Sequence, residues 1–224
     1  MISGKAIALS LLLPMASHAA PEHAASQAAC STDCASVQTV RLIERLKRPL
    51  PATTGYTEVR FVQMLDTPLK LRGELTYTSG NELGKRVVSP YEETTTIANG
   101  QVEITRTGKP AKRFSLKRAP ALAGFLESFS ATLQGDVKRL ERSYVLSSDG
   151  NDERWQLQLV PREAALSKHV KRVLISGQDT TPLCFEVEEA GGDSSVLLVD
   201  RLADTPLDGV PQRTRLQQLC QGAP

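Results

Sequence analysis

Most of the chain after Gly55 alternates between apolar and polar positions with a period of two, which is typical of β-strands with one buried face. The clearest example is the segment 69–78, where Leu71, Leu75 and Tyr77 share one face and charged or hydroxyl side chains occupy the other. Further strands are predicted at residues 59–61, 87–88, 95–98, 102–105, 140–147, 154–160, 168–175, 183–188 and 195–202.

Two stretches repeat their apolar residues at spacings of three and four, which predicts amphipathic helices. The first covers residues 34–48, with Asp33 as its N-cap. The second covers residues 120–133 and presents Phe125 and Phe129 on one face. A helix of this kind can simply cover one side of a sheet.

The turns between the strands favour antiparallel pairing. Asn99-Gly100 is the strongest hairpin signal in the chain, because a type I′ turn needs positive φ at both residues. Asp149-Gly150-Asn151 and Gly191-Gly192-Asp193 predict two further hairpins. The pattern therefore predicts an α+β fold in which a sheet of about ten antiparallel strands curls and leaves a concave apolar face for helices to cap.

The first residues have the features of an export signal. Residues 1–19 combine one early cation with a short apolar run and small residues before a predicted cleavage after Ala19. A membrane anchor is the alternative, but the run is broken by Pro14, well short of the roughly 20 apolar residues that a spanning helix needs. A second alternative is a lipoprotein acylated on Cys30. Residues 20–33 lack any apolar period and are predicted to be a disordered tether.

Export permits disulfides, and the four cysteines allow three pairings. We favour Cys184 with Cys220, which would tie down the C-terminal segment 203–224, and local pairing for Cys30 and Cys34. The cysteines and histidines lack zinc-site spacing, so no metal is predicted.

Charge and motifs exclude several functions. The formal net charge of +2 argues against nucleic-acid binding by bulk electrostatics. Sequence motifs for hydrolases, phosphate loops and dinucleotide binding are absent, so neither catalytic residues nor a cofactor are predicted. His169 stands among basic residues, where an edge or surface role is expected.

One cationic cluster precedes the second helix: Lys109, Lys112, Arg113, Lys117 and Arg118. It is either an ordinary soluble edge or a patch that docks on anionic lipid headgroups or an acidic partner.

Several short motifs in this order resemble the periplasmic outer-membrane lipoprotein carrier (LolA-like) family. They are Phe61-Val62-Gln63, Gly73-Glu74-Leu75-Thr76-Tyr77, Ser89-Pro90 and Asn99-Gly100. The resemblance covers residues 34–202 in arrangement and is confined to residues 55–105 in motif. It implies an incomplete β-barrel whose helices form a lid over a hydrophobic cavity. It also implies a monomeric, non-enzymatic periplasmic carrier of lipoprotein or other lipidic cargo, between an inner-membrane donor and an outer-membrane acceptor, with transient membrane-surface contact.

The cavity that the resemblance implies would draw on three elements: the strand at 69–78, the second helix and the strand at 154–160. The candidates are Leu71, Leu75, Tyr77, Phe125, Leu126, Phe129, Trp155, Leu157 and Leu159. The same side chains could instead form a solid core, and the protein would then be an interaction module of an envelope assembly. An exported hydrolase is a more distant alternative.

Overall fold

The computed structural model describes residues 34–78 and 82–222. The predicted signal peptide, the predicted tether, Cys30 and the Asp33 cap lie outside the described residues.

The described chain forms one antiparallel sheet and five α-helices. The helices are α1 (Val37–Arg45), α2 (Pro120–Gln134), α3 (Val137–Ser143), α4 (Ala164–Ser167) and α5 (Arg213–Cys220). The strands are β1 (Ala52–Phe61), β2 (Leu69–Tyr77), β3 (Leu83–Ser89), β4 (Glu93–Ala98), β5 (Gln101–Arg106), β6 (Lys109–Ser115), β7 (Tyr144–Gly150), β8 (Arg154–Pro161), β9 (Val170–Gln178), β10 (Thr181–Glu189) and β11 (Ser194–Val199). Short 3-10 turns follow β6 and β11.

The eleven strands lie in the order β6-β5-β4-β3-β2-β1-β11-β10-β9-β8-β7. The first strand pairs with the last, with Val59 opposite Val196, so two meanders join at the centre of the sheet. Within the described residues, β6 and β7 remain as edges, so the curled sheet is an incomplete barrel. This confirms the predicted α+β fold.

The topology explains the position of the central helix. The chain leaves the sheet at the β6 edge and re-enters it at the opposite edge, β7, so α2 and α3 must cross between them. Along this path Phe129 of α2 contacts Tyr77 of β2, and both Phe125 and Phe129 contact Phe185 of β10. The helix therefore lies across the middle strands and covers their concave face.

The sheet is buried on both faces at its centre. The main core lies on the concave side under α1, α2 and α3. A second core on the convex side joins Val59, Leu183, Val196 and Leu198 to Leu216 of α5. Two-sided burial accounts for the continuous apolar runs in β10 and β11, which do not alternate.

Several element predictions need correction. The first helix is shorter than residues 34–48, and its N-cap is Ser36, whose hydroxyl accepts a hydrogen bond from the Thr39 amide. Residues 140–143 belong to α3, because Asp136 caps a helix there by accepting from the Arg139 amide. The strand begins only at Tyr144.

Besides α3, three further elements are absent from the sequence prediction. They are the edge strand β6, the single-turn helix α4 and the C-terminal helix α5. The segments that form β6 and α5 are rich in polar residues, so neither shows a clear apolar period. The predicted turns are confirmed: Asn99 and Gly100 have φ values of 51° and 71°, and both other turns connect antiparallel strands.

Candidate functional site: a cavity under the concave face

A cavity of about 470 Å³ lies between the central strands and the N-terminal half of α2. This volume falls within the range of roughly 300–1,000 Å³ that small-molecule sites occupy. The side chains that line it come from β1, β2, β3, β4, β10 and β11, from residues 119–125 and from His169. Of these elements, only α2 and β2 contain predicted cavity residues; the contributions of β1, β3, β4, β10 and β11 were not predicted.

The wall of the cavity divides into an apolar and a polar part. Large apolar side chains from five strands form one part: Leu75, Leu83, Ile97, Phe185 and Leu197. Polar and charged side chains form the other: Glu58, Lys85 and Thr95 within β1, β3 and β4, and Arg60, Ser195, Glu189 and His169 at the ends of β1, β11 and β10 and just before β9. The arrangement suits an amphiphile, whose apolar chain contacts the first part while its polar group meets the second.

The helix α2 has two different halves. Residues 126–133 are mostly buried, and the Leu133 carbonyl accepts a hydrogen bond from the Arg48 amide at 2.8 Å, so this half is fixed in the core. Residues 120–123 are only partly buried, Pro120, Ala121 and Leu122 line the cavity, and Ala119 provides no side-chain cap for the helix. The first half of α2 is therefore less buried and less constrained than the second half.

Gly124 separates these two halves. A Cβ at this position would lie 3.1 Å from Leu166 Cδ1 and 3.3 Å from the Tyr144 hydroxyl. That hydroxyl donates a 2.9 Å hydrogen bond to the Gly124 carbonyl. Burial raises the pKa of Tyr144, with a further contribution from Glu127, so the phenol remains a neutral donor. The glycine permits a close approach between α2 and β7.

An aromatic cluster bounds the cavity beneath α2. The Phe125 and Phe129 rings are stacked with centroids 5.5 Å apart, and the Phe185 ring lies 5.0 Å from Phe129 and 6.2 Å from Phe125. Tyr77 meets Phe129 edge-on at 6.0 Å. These rings fill the space under the second half of α2 and leave the space under its first half open.

Charged groups lie on one side of the cavity. Lys85 donates a hydrogen bond to the buried carboxylate of Glu58, and its ammonium lies 5.2 Å from the centroid of the Tyr56 ring. The Arg60 guanidinium is 3.9 Å from the same carboxylate, and its side chain is 46% exposed. Burial and then the Glu58 charge raise the pKa of Tyr56. Because Arg60 lines the cavity and its side chain is partly exposed, the cavity reaches solvent beside this residue, which marks its opening.

The predicted cavity residues do not all meet at one place. Leu75 and Phe125 line the cavity, and Leu75 and Phe129 also line a smaller neighbouring one of about 100 Å³. Five others belong to the packed concave core around it: Leu71, Tyr77, Leu126, Leu157 and Leu159. Trp155 lies in that core and borders a separate cleft between α1 and the β7–β8 turn.

The predicted basic patch is an edge of the sheet. Lys109, Lys112 and Arg113 are exposed on β6, where Arg113 also pairs with Glu103 at 2.7 Å. Lys117 and Arg118 are exposed in the 3-10 turn that follows. The next residue, Ala119, lines the cavity, so the patch continues directly into the cavity wall.

The predicted Cys184–Cys220 disulfide is confirmed, and it joins β10 to α5 on the convex face. Cys34 is also disulfide-bonded. In the part of the chain that the structure describes, we found neither a cluster of residues suited to a metal ion nor a helix long and apolar enough to cross a membrane.

Comparison with known proteins gives a family match. The sequence model of the family described as outer membrane lipoprotein carrier protein LolA-like matches residues 29–223. We found no significant match among curated protein sequences.

Several solved structures are similar in fold. A LolA superfamily protein from Nitrosomonas europaea matches at TM-score 0.40 and 11% identity, over 75% of this chain and 94% of that chain. LprF from Mycobacterium bovis matches at TM-score 0.32 and 9% identity, over 79% and 97%. MucB matches at TM-score 0.44 and 13% identity, over 81% of this chain but only 63% of the MucB chain.

Proposed function

Because this chain belongs to the outer membrane lipoprotein carrier (LolA-like) family, we propose that it is a periplasmic, non-enzymatic carrier that shields an acyl chain in the cavity under α2. Its cargo is a lipoprotein or another lipidic molecule that must cross water on its way to the outer membrane. The observation that carries this proposal is the apolar cavity of about 470 Å³ with a polar opening.

The hydrophobic effect supplies enough binding free energy for this role. Burying one methylene contributes about 0.8 kcal/mol, so ten methylenes contribute about 8 kcal/mol before entropic losses. The walls that would bury them include Leu75, Ile97, Phe185 and Leu197, which come from four different strands.

Loading and release require that part of this enclosure opens. The first half of α2 suits such a lid because it is less buried than the second half and has no side-chain cap. The basic patch suits transient docking on an anionic surface next to the lid, since Lys117 and Arg118 immediately precede it. Both roles are proposals.

Uptake of a fluorescent fatty acid tests the cavity. Replacing Ala121, which lines the cavity, by Trp fills part of its volume and should lower uptake by about tenfold or more. The matched control is Ala165→Trp on α4, because Ala165 is exposed and lies outside the cavity lining. Equal uptake by both variants would contradict an acyl site at this place.

Native mass spectrometry of protein purified from cells separates carrier from interaction module. Acyl species that co-purify with the parent and are lost from Ala121→Trp support a carrier. A lipid-free parent that holds a stable protein partner, together with no fatty-acid uptake, would favour the module instead.

A further inference from the structure

The loop between β1 and β2 presents an apolar tip to solvent. Met64 is 93% exposed, more than any other large hydrophobic residue of the described chain, and Leu65 is 44% exposed. Leu69, at the start of β2, is 42% exposed. Exposed apolar clusters of this kind mark sites of contact with membranes or other proteins.

Hydrogen bonds hold this tip in place. The Leu65 amide donates to the Val62 carbonyl at 2.9 Å, which closes a tight turn. The Gln63 amide donates to Asp193 Oδ1 at 3.0 Å, and its side-chain amide donates to the Gly191 carbonyl. The two residues that follow Gln63 therefore project from a braced loop.

The tip and the cavity opening share one end of the sheet. The β10–β11 turn that braces Gln63 also contacts the segment before β9, where the Ala190 amide donates to the His169 carbonyl at 3.0 Å. His169 and Arg60 both line the polar part of the cavity, and Arg60 is four residues before Met64. A surface that contacts the tip would therefore also lie beside the opening of the cavity.

We propose that Met64 and Leu65 insert into the surface of a lipid bilayer and hold the cavity opening against the headgroups. This inference rests on the proposed carrier function and names the surface at which the carrier exchanges its cargo. The tip is a convex apex with two flexible aliphatic side chains, which suits shallow insertion between headgroups.

The charges around the tip fit a bilayer surface. Lys70, Lys168 and Lys171 are exposed near this end of the sheet and can meet lipid phosphates, although Lys70 also donates to the Leu207 carbonyl at 3.4 Å and Lys171 lies 3.9 Å from the Glu188 carboxylate. Asp66 in the loop, Asp193 in the neighbouring turn and Glu188 and Glu189 at the end of β10 offset this charge, so apolar insertion must provide most of the attachment. Binding by the tip should therefore persist at high salt, whereas binding by the basic patch on β6 is screened.

The test measures binding of the full chain to vesicles of phosphatidylethanolamine and phosphatidylglycerol by co-sedimentation at low and high salt. We expect salt-resistant binding by the parent and a loss of about tenfold in Met64→Ser/Leu65→Ser. The matched control is Val37→Ser/Val210→Ser, which removes two exposed apolar side chains elsewhere, 68% and 61% exposed, and should bind like the parent.

A second measurement locates the inserted residue. The chain contains a single tryptophan, Trp155, which is buried, so a Met64→Trp variant adds one reporter against a constant background. Its added fluorescence should shift to the blue on vesicles and be quenched by lipids with brominated acyl chains. Absence of both effects would overturn insertion.

The outcomes separate this inference from the proposed function. The double serine variant should still take up fluorescent fatty acid from solution, because neither residue lines the cavity. Uptake without salt-resistant vesicle binding in the parent would overturn the tip and leave the carrier. Vesicle binding that survives the double substitution, or that disappears with salt, would also overturn it.

Discussion

Replacing Cys184 and Cys220 together by Ala should lower the free energy of unfolding by about 4 kcal/mol. The two cysteines are 36 residues apart, and the chain-entropy model gives about 4 kcal/mol for freeing a loop of that length in the unfolded state. For a chain of this size that corresponds to a fall in melting temperature of roughly 8–16 °C.

The magnitude assumes that α5 stays docked in the folded variant. Leu216 is buried in the convex core, and the buried carboxylate of Glu186 accepts hydrogen bonds from Arg213 Nε at 2.9 Å and from Gln217 Nε2 at 3.2 Å. These contacts are independent of the disulfide. If they fail, α5 detaches locally and the loss is limited to the free energy of docking this segment.

Urea unfolding measures the loss, and hydrogen exchange separates the two cases. Retained protection of the α5 amides with a loss near 4 kcal/mol supports the entropic account. A loss below about 1 kcal/mol with α5 still protected and an unchanged m value would refute it.

Three further substitutions test local features of the fold. Gly73→Ala should cost about 3 kcal/mol or more in thermal unfolding, because its Cβ would lie 1.7 Å from a backbone carbonyl oxygen of β3. Gly124→Ala should raise the free energy of unfolding by less than the roughly 1 kcal/mol expected at a solvent-exposed helix position, because the added methyl group would crowd Leu166. A gain of the full ~1 kcal/mol in urea unfolding would contradict this packing. Glu188→Gln should lower stability near pH 7, because a hydrogen bond from Arg172 holds the pKa of Glu188 below its ordinary value. The contribution of the Glu188 carboxylate to stability is present above its pKa in the unfolded chain, about 4.3, and is lost as the pH falls through its lower pKa in the folded protein. The free energies of unfolding of parent and variant, measured in urea, should therefore converge at acid pH.

The sequence predicts β2 clearly because one face alone of this strand is buried. In β2 the buried positions Leu71, Leu75 and Tyr77 alternate with exposed or half-buried ones, as the period of two requires. In the same way the apolar spacing of residues 120–133 located α2 almost to the residue. The pattern of apolar and polar residues locates an element well when the element has one clearly apolar face that packs against the rest of the protein.

The failures have identifiable physical causes. α5 is polar along most of its length and owes its place to Glu186 and Cys184, which lie far away in sequence. The apolar pattern predicts a strand from residue 140, inside α3, although Gly135 with φ of 65° and the capping side chain of Asp136 are local signals that one helix ends and another begins. The convex core had a signal too, in the unbroken apolar runs of β10 and β11.

The cavity itself depends on a difference in side-chain size that periodicity does not register. α2 has to cross the sheet from β6 to β7 whatever its sequence. Its second half carries Phe129, which with Tyr77 and Phe185 fills the gap to the strands. Its first half has the sequence Pro-Ala-Leu-Ala-Gly, whose smaller side chains are only partly buried and border the cavity. An acyl chain bound in this space would remove its own methylenes from water, at about 0.8 kcal/mol each, and would add contacts to side chains that the smaller first half of α2 leaves short of packing partners.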